Sequence, residues 1–225
     1  MSLAAARPGR AATRLKVNEI FHSIQGESRH AGRPCVFVRL TGCNLRCTWC
    51  DTAYAFEEGS ELPVSAVLDR IAAYGTRFVL LTGGEPLAQA GVHDLAGELC
   101  DRGHEVAIET GGSLDLAPLD RRVMIVMDLK CPASGMSGRN RWENLDLLKP
   151  TDEVKFVIAD RNDYEWARDA VARHRLTERL GVLFSPVHGV LQPRPLSEWV
   201  LEDRLPVRIQ LQVHKYIWPP DLRGV

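Results

Sequence analysis

Three cysteines within eight residues are the part of this sequence best suited to chemistry. Cys43, Cys47 and Cys50 are separated by three and then two residues, so one short loop can present three thiolates to a single point. Structural zinc sites usually have four protein ligands, and cubane iron–sulfur clusters normally have four thiolates. The loop supplies one ligand fewer, which leaves a coordination position for another group.

A zinc-organised binding module is the main non-catalytic alternative. Cys131, Cys100 or His214 could supply the fourth ligand of such a site. A pair of glycines, Gly83 and Gly84, follows a predicted strand downstream of the cysteine loop and favours a cluster over zinc. Cys35 lies in a predicted apolar strand and Cys100 on a predicted helix, and neither is assigned a role because a free cysteine is usually a small buried hydrophobe.

Composition restricts the class of partner. The chain has 225 residues, 45% of them hydrophobic, with 28 Lys and Arg against 29 Asp and Glu and a net charge of −1. This balance argues against nucleic acid or an anionic membrane and favours a small-molecule partner. No apolar run approaches the roughly 20 residues of a membrane span. Clustered cysteines without an export signal predict a soluble protein of the cytoplasm.

Two parts of the chain differ in composition. Residues 1–16 contain Arg7, Arg10, Arg14 and Lys16 and no acidic residue, which is typical of a disordered basic tail. Residues 17–225 are predicted to form a single domain, because their hydrophobic content suits one core.

Apolar, β-branched runs alternate with helical patterns. The predicted strands are Cys35–Leu40, Phe78–Thr82, Glu105–Ile108, Val123–Met127, Val154–Ile158, Val182–Phe184 and Val207–Val213. Helical patterns follow Pro63 and cover His93–Asp101 and Asn162–Arg175, while Pro193-Arg194-Pro195 is interpreted as a stiff surface connection. The alternation predicts an α/β fold, a partial (β/α) barrel of six or seven mostly parallel strands, with ligands at the carboxyl ends of the strands.

Several motifs carry a family resemblance. The cysteine loop with Gly83-Gly84-Glu85-Pro86 resembles the radical S-adenosylmethionine (SAM) superfamily. Three further segments, Asn18–Glu27, Phe37–Cys43 and Gln212–Tyr216, are similar to the 7-carboxy-7-deazaguanine synthase family. The similarity extends from about Val17 to Pro220, essentially the whole predicted domain.

The resemblance implies a reaction and its cofactors. Cys43, Cys47 and Cys50 would hold three irons of a [4Fe-4S] cluster, and SAM would bind the fourth and be cleaved to a carbon radical on reduction. The enzyme would be a carbon–nitrogen lyase that converts 6-carboxy-5,6,7,8-tetrahydropterin to 7-carboxy-7-deazaguanine with loss of ammonia. No side chain is assigned a catalytic role, because the radical comes from SAM.

The same resemblance implies a set of binding residues. For SAM they are Trp49, Cys50, Asp51, Gly84, Asp128, Leu129, Lys130, Phe184, Ser185, Pro186 and Val187. For the substrate they are Ile24, Gln25, Gly26, Glu27, Arg39, Thr82, His214 and Pro220. For Mg²⁺ they are Thr52 and, as a second candidate, Asp51.

The residue types suit these roles. A carboxylate such as Glu27 can accept two N–H donors from a pterin edge, and the guanidinium of Arg39 can pair with the substrate carboxylate. Thr52 can supply one of the oxygen ligands that Mg²⁺ prefers. Gly83 and Gly84 are expected because backbone without Cβ can approach a ligand closely.

The resemblance also implies partners, and one other radical SAM function is an alternative. A homodimer and an electron donor such as flavodoxin or ferredoxin are expected. A radical SAM activase acting on a partner protein would share the cluster loop without needing the pterin-binding residues. Ser28 stands where the family pattern has glycine, so the loop there is expected to bend differently.

Overall fold

A single mixed sheet organises the chain. The protein is described by a computed structural model over residues 13–225, and within that range nine strands follow the order β3-β1-β2-β4-β5-β6-β7-β8-β9. The strands are β1 (Arg14–Ile24), β2 (Pro34–Leu40), β3 (Ser60–Pro63), β4 (Phe78–Gly83), β5 (Glu105–Thr110), β6 (Met124–Asp128), β7 (Glu153–Ile158), β8 (Gly181–Pro186) and β9 (Arg208–Ile209). Seven strands, β2 and β4 to β9, pair in parallel, and β1 and β3 add an antiparallel edge. The predicted partial barrel is confirmed.

The described range contains five α-helices, four between strands and α5 after β9. They are α1 (Val64–Ala73), α2 (Gly91–Asp101), α3 (Arg161–Arg173), α4 (Pro193–Glu202) and α5 (His214–Ile217). The apolar stripe of α1, which includes Val67, Leu68 and Ile71, packs into the main core together with the strands. None of these helices is long and apolar enough to cross a bilayer.

The two faces of the strands β2, β4 and β5 contribute to two different hydrophobic clusters. In β2, Val36, Val38 and Leu40 belong to the large cluster between sheet and helices, whereas Cys35 and Phe37 belong to a smaller cluster. This alternation is the period of two that a strand imposes. Cys35 is fully buried there, as a small hydrophobe would be. The smaller cluster ends where polar residues begin, at the carboxyl ends of the strands.

The boundary of the basic tail is wrong by at least three residues. β1 begins at Arg14 and pairs with β3, with Arg14 opposite Pro63 and Val17 opposite Ser60. Leu15, assigned to the tail from sequence, is fully buried in the main core. Its burial explains why Arg14–Lys16 join the sheet, and the remainder of the expected tail up to residue 12 lies outside the described residues.

Two further predictions are corrected toward the end of the chain. The expected connection at Pro193-Arg194-Pro195 is the first turn of α4, a position where proline is tolerated because its missing N–H has no helical acceptor. The predicted strand Val207–Val213 is reduced to Arg208–Ile209. Beyond it the chain turns, and the Val213 N–H donates to the Gly26 carbonyl at 3.0 Å.

A buried carboxylate joins the C-terminal side of the sheet to the loop after β1. Glu153, at the start of β7, accepts from the Arg29 backbone N–H at 2.9 Å and from Nη1 of Arg208 in β9 at 2.9 Å. Its side chain is fully inaccessible to solvent. This contact fixes the loop that carries the expected substrate-binding residues.

Candidate active site

A cavity of about 600 Å³ opens at the carboxyl ends of the parallel strands. Arg39 of β2, Thr82 of β4, Glu109 of β5 and Asp128 of β6 all line it, each near the end of its strand. Parallel strands place their carboxyl ends at one edge, which is where ligands of such sheets bind. The cavity is therefore the candidate active site.

Most of the residues predicted from sequence meet in this cavity. Those that line it are Ile24, Gln25, Glu27, Arg39, Cys43, Cys47, Trp49, Cys50, Asp51, Thr52, Thr82, Gly84, Asp128, Lys130, Val187, His214 and Pro220. Five do not line it: Gly26, Leu129, Phe184, Ser185 and Pro186. Leu129 and Phe184 belong to the main core, and Pro186 lines a smaller neighbouring pocket.

The three cysteines of the loop are free, half-buried and line the same cavity. Burial raises the pKa of Cys43 and of Cys47, and the ammonium of Lys130 opposes the shift at both. A nearby cation of this kind favours the thiolate form that binds iron.

The zinc interpretation finds no support in the geometry. Within residues 13–225 no group of three or more His, Cys, Asp or Glu side chains is arranged to hold one metal ion. Cys131 is buried in the main core, and Cys100 packs against that core from α2. Three free thiols that line one cavity fit three of the four irons of a [4Fe-4S] cluster.

The two glycines at the end of β4 are also required by packing within the protein, and their close approach to a ligand stays a prediction. A Cβ on Gly84 would lie 2.8 Å from the Cβ of Cys43. Gly83 has a φ of 156°, and a Cβ there would lie 2.8 Å from the backbone nitrogen of Leu40. These contacts are with the strand and loop that carry the cysteines. Glycine is required here so that the loop after β4 can pack against the cysteine loop.

Glu85 connects two of the loops. It is buried and accepts hydrogen bonds from the Thr110 hydroxyl at 2.8 Å, the Gly111 N–H at 2.7 Å and the Leu87 N–H at 3.0 Å. Burial raises its pKa, which those donors oppose. Its role is to hold the loops after β4 and β5 together.

One acceptor in the cavity lacks a partner. The ammonium of Lys130 donates to Oδ2 of Asp128 at 2.8 Å, but the buried Oδ1 of Asp128 has no hydrogen-bond partner among the residues described. Asp128 raises the pKa of Lys130 against the effect of burial. Buried polar atoms are nearly always satisfied, so Oδ1 indicates the position of a polar ligand group beside the cysteine loop.

A buried ion pair forms another wall of the cavity. Glu27 accepts from the ammonium of Lys155 at 2.6 Å and from the amide of Gln212 at 2.8 Å. Burial alone would raise the pKa of Glu27, but Lys155 and Gln212 lower it below its ordinary value. Glu27 is therefore a carboxylate, and each of its oxygens can accept a further N–H donor.

Glu109 is an acid of the cavity whose pKa is raised. It accepts from the Gln25 amide at 3.2 Å, while burial and the nearby charge of Glu27 raise its pKa. Lys155, the cation bound to Glu27, keeps its proton because the charges of Glu27, Asp128 and Glu109 outweigh the effect of burial on its pKa.

The C-terminal helix closes the cavity from the side of Gly26. A Cβ on Gly26 would lie 2.8 Å from Cγ of His214, so glycine is needed here for α5 to pack against the loop after β1. Burial lowers the pKa of His214, which keeps the imidazole neutral. Gly26 therefore supports the cavity without lining it.

Asp51 and Thr52 have partners within the protein. The Thr52 hydroxyl donates to Oδ1 of Asp51 at 2.9 Å, and Lys215 pairs with Oδ2 at 2.8 Å. Burial alone would raise the pKa of Asp51, but these two partners lower it. A hydroxyl that donates to a carboxylate keeps its lone pairs free for a cation, whereas Asp51 is already neutralised by Lys215.

Ser28 has an unusual backbone conformation for a residue with a side chain. Its φ is 63°, in the left-handed region that favours glycine. A glycine would adopt this conformation with less strain, and a loop that bends differently from the family pattern stays a prediction. The hydroxyl accepts from the His30 N–H at 3.1 Å and offsets part of the strain.

Sequence reasoning missed Lys155, Glu109, Gln212, Lys215 and Glu19. A signal exists for the first of these, because a lysine within the apolar run Val154–Ile158 is unusual for a buried strand. Glu109 follows a predicted strand directly and has the same positional signal as the motif-bearing loops. The other three lie in segments that resemble the family, but their partners become visible only once distant segments are brought together.

Comparison with known proteins agrees with the geometry. The sequence profile of the Radical SAM superfamily matches residues 37–175. A 7-carboxy-7-deazaguanine synthase from Chlorobaculum tepidum is 48% identical over 94% of this chain and 97% of its own, and one from Koribacter versatilis is 45% identical over 94% and 100%. The chain belongs to the 7-carboxy-7-deazaguanine synthase family. This sets aside the activase and zinc-module alternatives.

Solved structures agree at the level of fold. The crystal structure of QueE from Escherichia coli aligns with a TM-score of 0.75 and 22% identity, covering 89% of this chain and 95% of that chain. Streptococcus suis SuiB bound to S-adenosylmethionine aligns with a TM-score of 0.52 over 76% of this chain and 44% of that chain. Membership of the family implies a [4Fe-4S] cluster and SAM, and the three thiols and the unpaired Asp128 oxygen fit these groups.

Proposed function

We propose that this member of the 7-carboxy-7-deazaguanine synthase family converts 6-carboxy-5,6,7,8-tetrahydropterin to 7-carboxy-7-deazaguanine with loss of ammonia. The observation that carries the proposal is that one cavity joins the cysteine loop to both Glu27 and Arg39. A carboxylate matches the N–H edge of a pterin, and a guanidinium matches its carboxylate.

The protein side of the cofactor site follows from the cavity. Cys43, Cys47 and Cys50 would hold the cluster, and Asp128 with Lys130 would bind polar groups of SAM beside it. When bound, SAM supplies the carbon radical that removes a hydrogen atom from the substrate. The chain's own residues bind, orient and shield the reactants.

Glu27 is preorganised to orient the pterin. Lys155 donates to Oε2 of Glu27 and Gln212 donates to Oε1. These two contacts fix the plane of the carboxylate and preserve its negative charge. The neutral imidazole of His214, from α5, and Gln25 line the same cavity. A rigid carboxylate of this kind accepts parallel N–H donors without reorganisation.

Mg²⁺ would bind at Thr52. Its hydroxyl oxygen is the candidate ligand, and substrate oxygens and water would complete the six positions that Mg²⁺ prefers. Asp51, already paired with Lys215, would orient the Thr52 hydroxyl and not bind the ion directly.

An anaerobic assay of the reconstituted enzyme tests the proposal. With SAM, reductant and the carboxylated tetrahydropterin, we expect a deazaguanine product and ammonia. The variant Glu27→Gln should lower kcat/KM by about 100-fold, because a charged acceptor is lost from the pterin edge. Iron and sulfide content should be unchanged.

Glu105→Gln is the control, since Glu105 pairs with Arg33 at the opposite end of the sheet. Full turnover by the Glu27→Gln variant would refute the pterin orientation, and absence of product from the wild type would refute the reaction. The homodimer, the flavodoxin or ferredoxin donor and the cytoplasmic location stay predictions.

A further inference from the structure

Arg39 is held by an ion pair with Glu19 on the neighbouring strand. The resemblance to the family gives Glu19 no role. Glu19 of β1 lies directly opposite Arg39 of β2 in the antiparallel register. The Nε of Arg39 donates to Oε1 of Glu19 at 2.7 Å, and both side chains are less than one-fifth exposed. Opposed charges on facing strands of this kind restrict each other's rotamers.

Only one edge of the guanidinium is engaged. Among residues 13–225, the nitrogens Nη1 and Nη2 of Arg39 have no hydrogen-bond acceptor, although Arg39 lines the cavity. With Nε fixed, the guanidinium plane is fixed, and the Nη1/Nη2 end remains a two-pronged donor. That fork matches the two oxygens of a carboxylate.

Glu19 is itself oriented by a neighbour. The Tyr54 hydroxyl donates to the same Oε1 at 3.0 Å. Burial raises the pKa of Tyr54 to about 12, so the hydroxyl keeps its proton. The rings of Tyr54 and Phe21 each lie 5.9 Å from the guanidinium carbon of Arg39 and limit its movement.

We propose that Glu19, supported by Tyr54, is a positioning residue that makes Arg39 a selective receptor for the carboxylate of the substrate. The inference rests on the proposed function, because it requires a carboxylated pterin in this cavity. In this role, Glu19 allows the protein to distinguish pterins that carry the carboxylate from those that lack it.

A competing effect of Glu19 acts in the opposite direction. Its negative charge repels a carboxylate ligand, so removal of the charge alone would tighten binding. Glutamine separates the two effects, since its amide oxygen still accepts from Nε without a charge. Positioning predicts that Glu19→Gln binds well and Glu19→Ala binds poorly, whereas repulsion predicts that both bind more tightly.

The test is anaerobic calorimetric titration of the unreduced holoenzyme with SAM, using two ligands. They are 6-carboxytetrahydropterin and tetrahydropterin without the carboxylate. For Glu19→Ala we expect affinity for the first to fall tenfold or more and affinity for the second to change less than twofold. Glu19→Gln should retain affinity within about threefold for both.

Two variants complete the design. Tyr54→Phe should give an intermediate loss for the carboxylated ligand alone, and it carries the test if Glu19→Ala does not fold. Glu105→Ala, which breaks the Arg33 ion pair far from the cavity, should leave both affinities unchanged.

Each contrary outcome has a distinct meaning. Equal weakening of both ligands, or tighter binding by Glu19→Ala, would overturn the role of Glu19 while leaving the proposed function intact. A wild type with no preference for the carboxylated ligand would overturn the proposed substrate and this role with it.

Discussion

Lys155 sets the charge state of the substrate end of the cavity. It is the buried cation beside Glu27, Glu109 and Asp128, and all three raise its pKa. Removing one partner of a buried ion pair leaves an uncompensated charge, which is more costly than the pair itself. The charges of these side chains are therefore interdependent.

Lys155→Met should destabilise the holoenzyme by about 3 kcal/mol, since Glu27 would lose its counter-charge. In a Glu27→Gln background the same substitution should cost much less. Denaturant unfolding of the two single variants and the double variant measures this coupling. Additive losses would contradict it, and Arg175→Met, which breaks an exposed pair, should change little.

Glu109 should make stability depend on pH. Its folded pKa lies above its ordinary value of 4.5, so the unfolded chain releases its proton first as pH rises. The stabilising contribution of Glu109 is present below pH 4.5 and is lost as pH rises from 4.5 to the raised pKa. Glu109→Gln lacks this loss and should be more stable than the wild type above that window, with the difference fading at acid pH.

Thermal unfolding of the holoenzyme without SAM or substrate, at several pH values, checks this prediction. The glutamine amide can still accept from Gln25, so the hydrogen bond is preserved. A variant that is less stable than the wild type at neutral pH would show that Glu109 is ionised and stabilised by Lys155.

At the scale of elements, the contact between the loop after β1 and α5 determines where α5 lies. Gly26 lies against the imidazole of His214, and its carbonyl accepts from the Val213 N–H. The helix has only four residues, so its position depends on this contact and not on its own stability.

Gly26→Ala should displace α5 and destabilise the protein by about 1–3 kcal/mol, because the added methyl overlaps His214. Affinity for the pterin should fall with it. In a His214→Ala background most of the extra loss should disappear. Gly138→Ala is the control, since nothing lies within 4 Å of a Cβ at Gly138.

The elements differ in how well the sequence predicts them. The central parallel strands are buried on both faces and form continuous apolar runs, so β2 and β4 to β8 are predictable. β1 escapes prediction because its side chains are mixed and several are only partly buried. β9 is predicted too long, because the segment that follows it leaves the sheet and leads into α5.

The site is predictable where a local motif exists. The cysteine loop and Glu27 each lie in a recognisable segment. Glu19 lies in the same segment as Glu27, and Lys155 interrupts an apolar run, but neither position reveals its ion-pair partner. Their partners, Arg39 and Glu27, are reached only through strand pairing or across the sheet. Such pairings are a property of tertiary structure, so sequence spacing alone does not reveal them.

At the scale of the whole molecule, Glu153 ties the β7–β9 side of the sheet to the loop after β1. It joins Arg29 and Arg208 while fully buried. Glu153→Ala should therefore loosen two distant segments together. Hydrogen exchange should become faster in both the loop after β1 and the segment from β9 to α5, with cluster content unchanged.

The overall loss of stability should be about 3 kcal/mol, the usual effect of removing a buried charged acceptor. Faster exchange in only one of the two segments would contradict the connection. Glu178→Ala, which removes an exposed ion pair, should alter exchange in neither segment.

The contact of Glu27 with Gln212 also has a consequence for the order of assembly during synthesis. These residues are 185 positions apart in the chain. The cysteine loop lies between β2 and β4, whose pairing forms from the first half of the chain alone. On a ribosome-bound chain all three cysteines are therefore synthesised well before Gln212, so the thiols of the cofactor site exist before the wall that receives the pterin is complete.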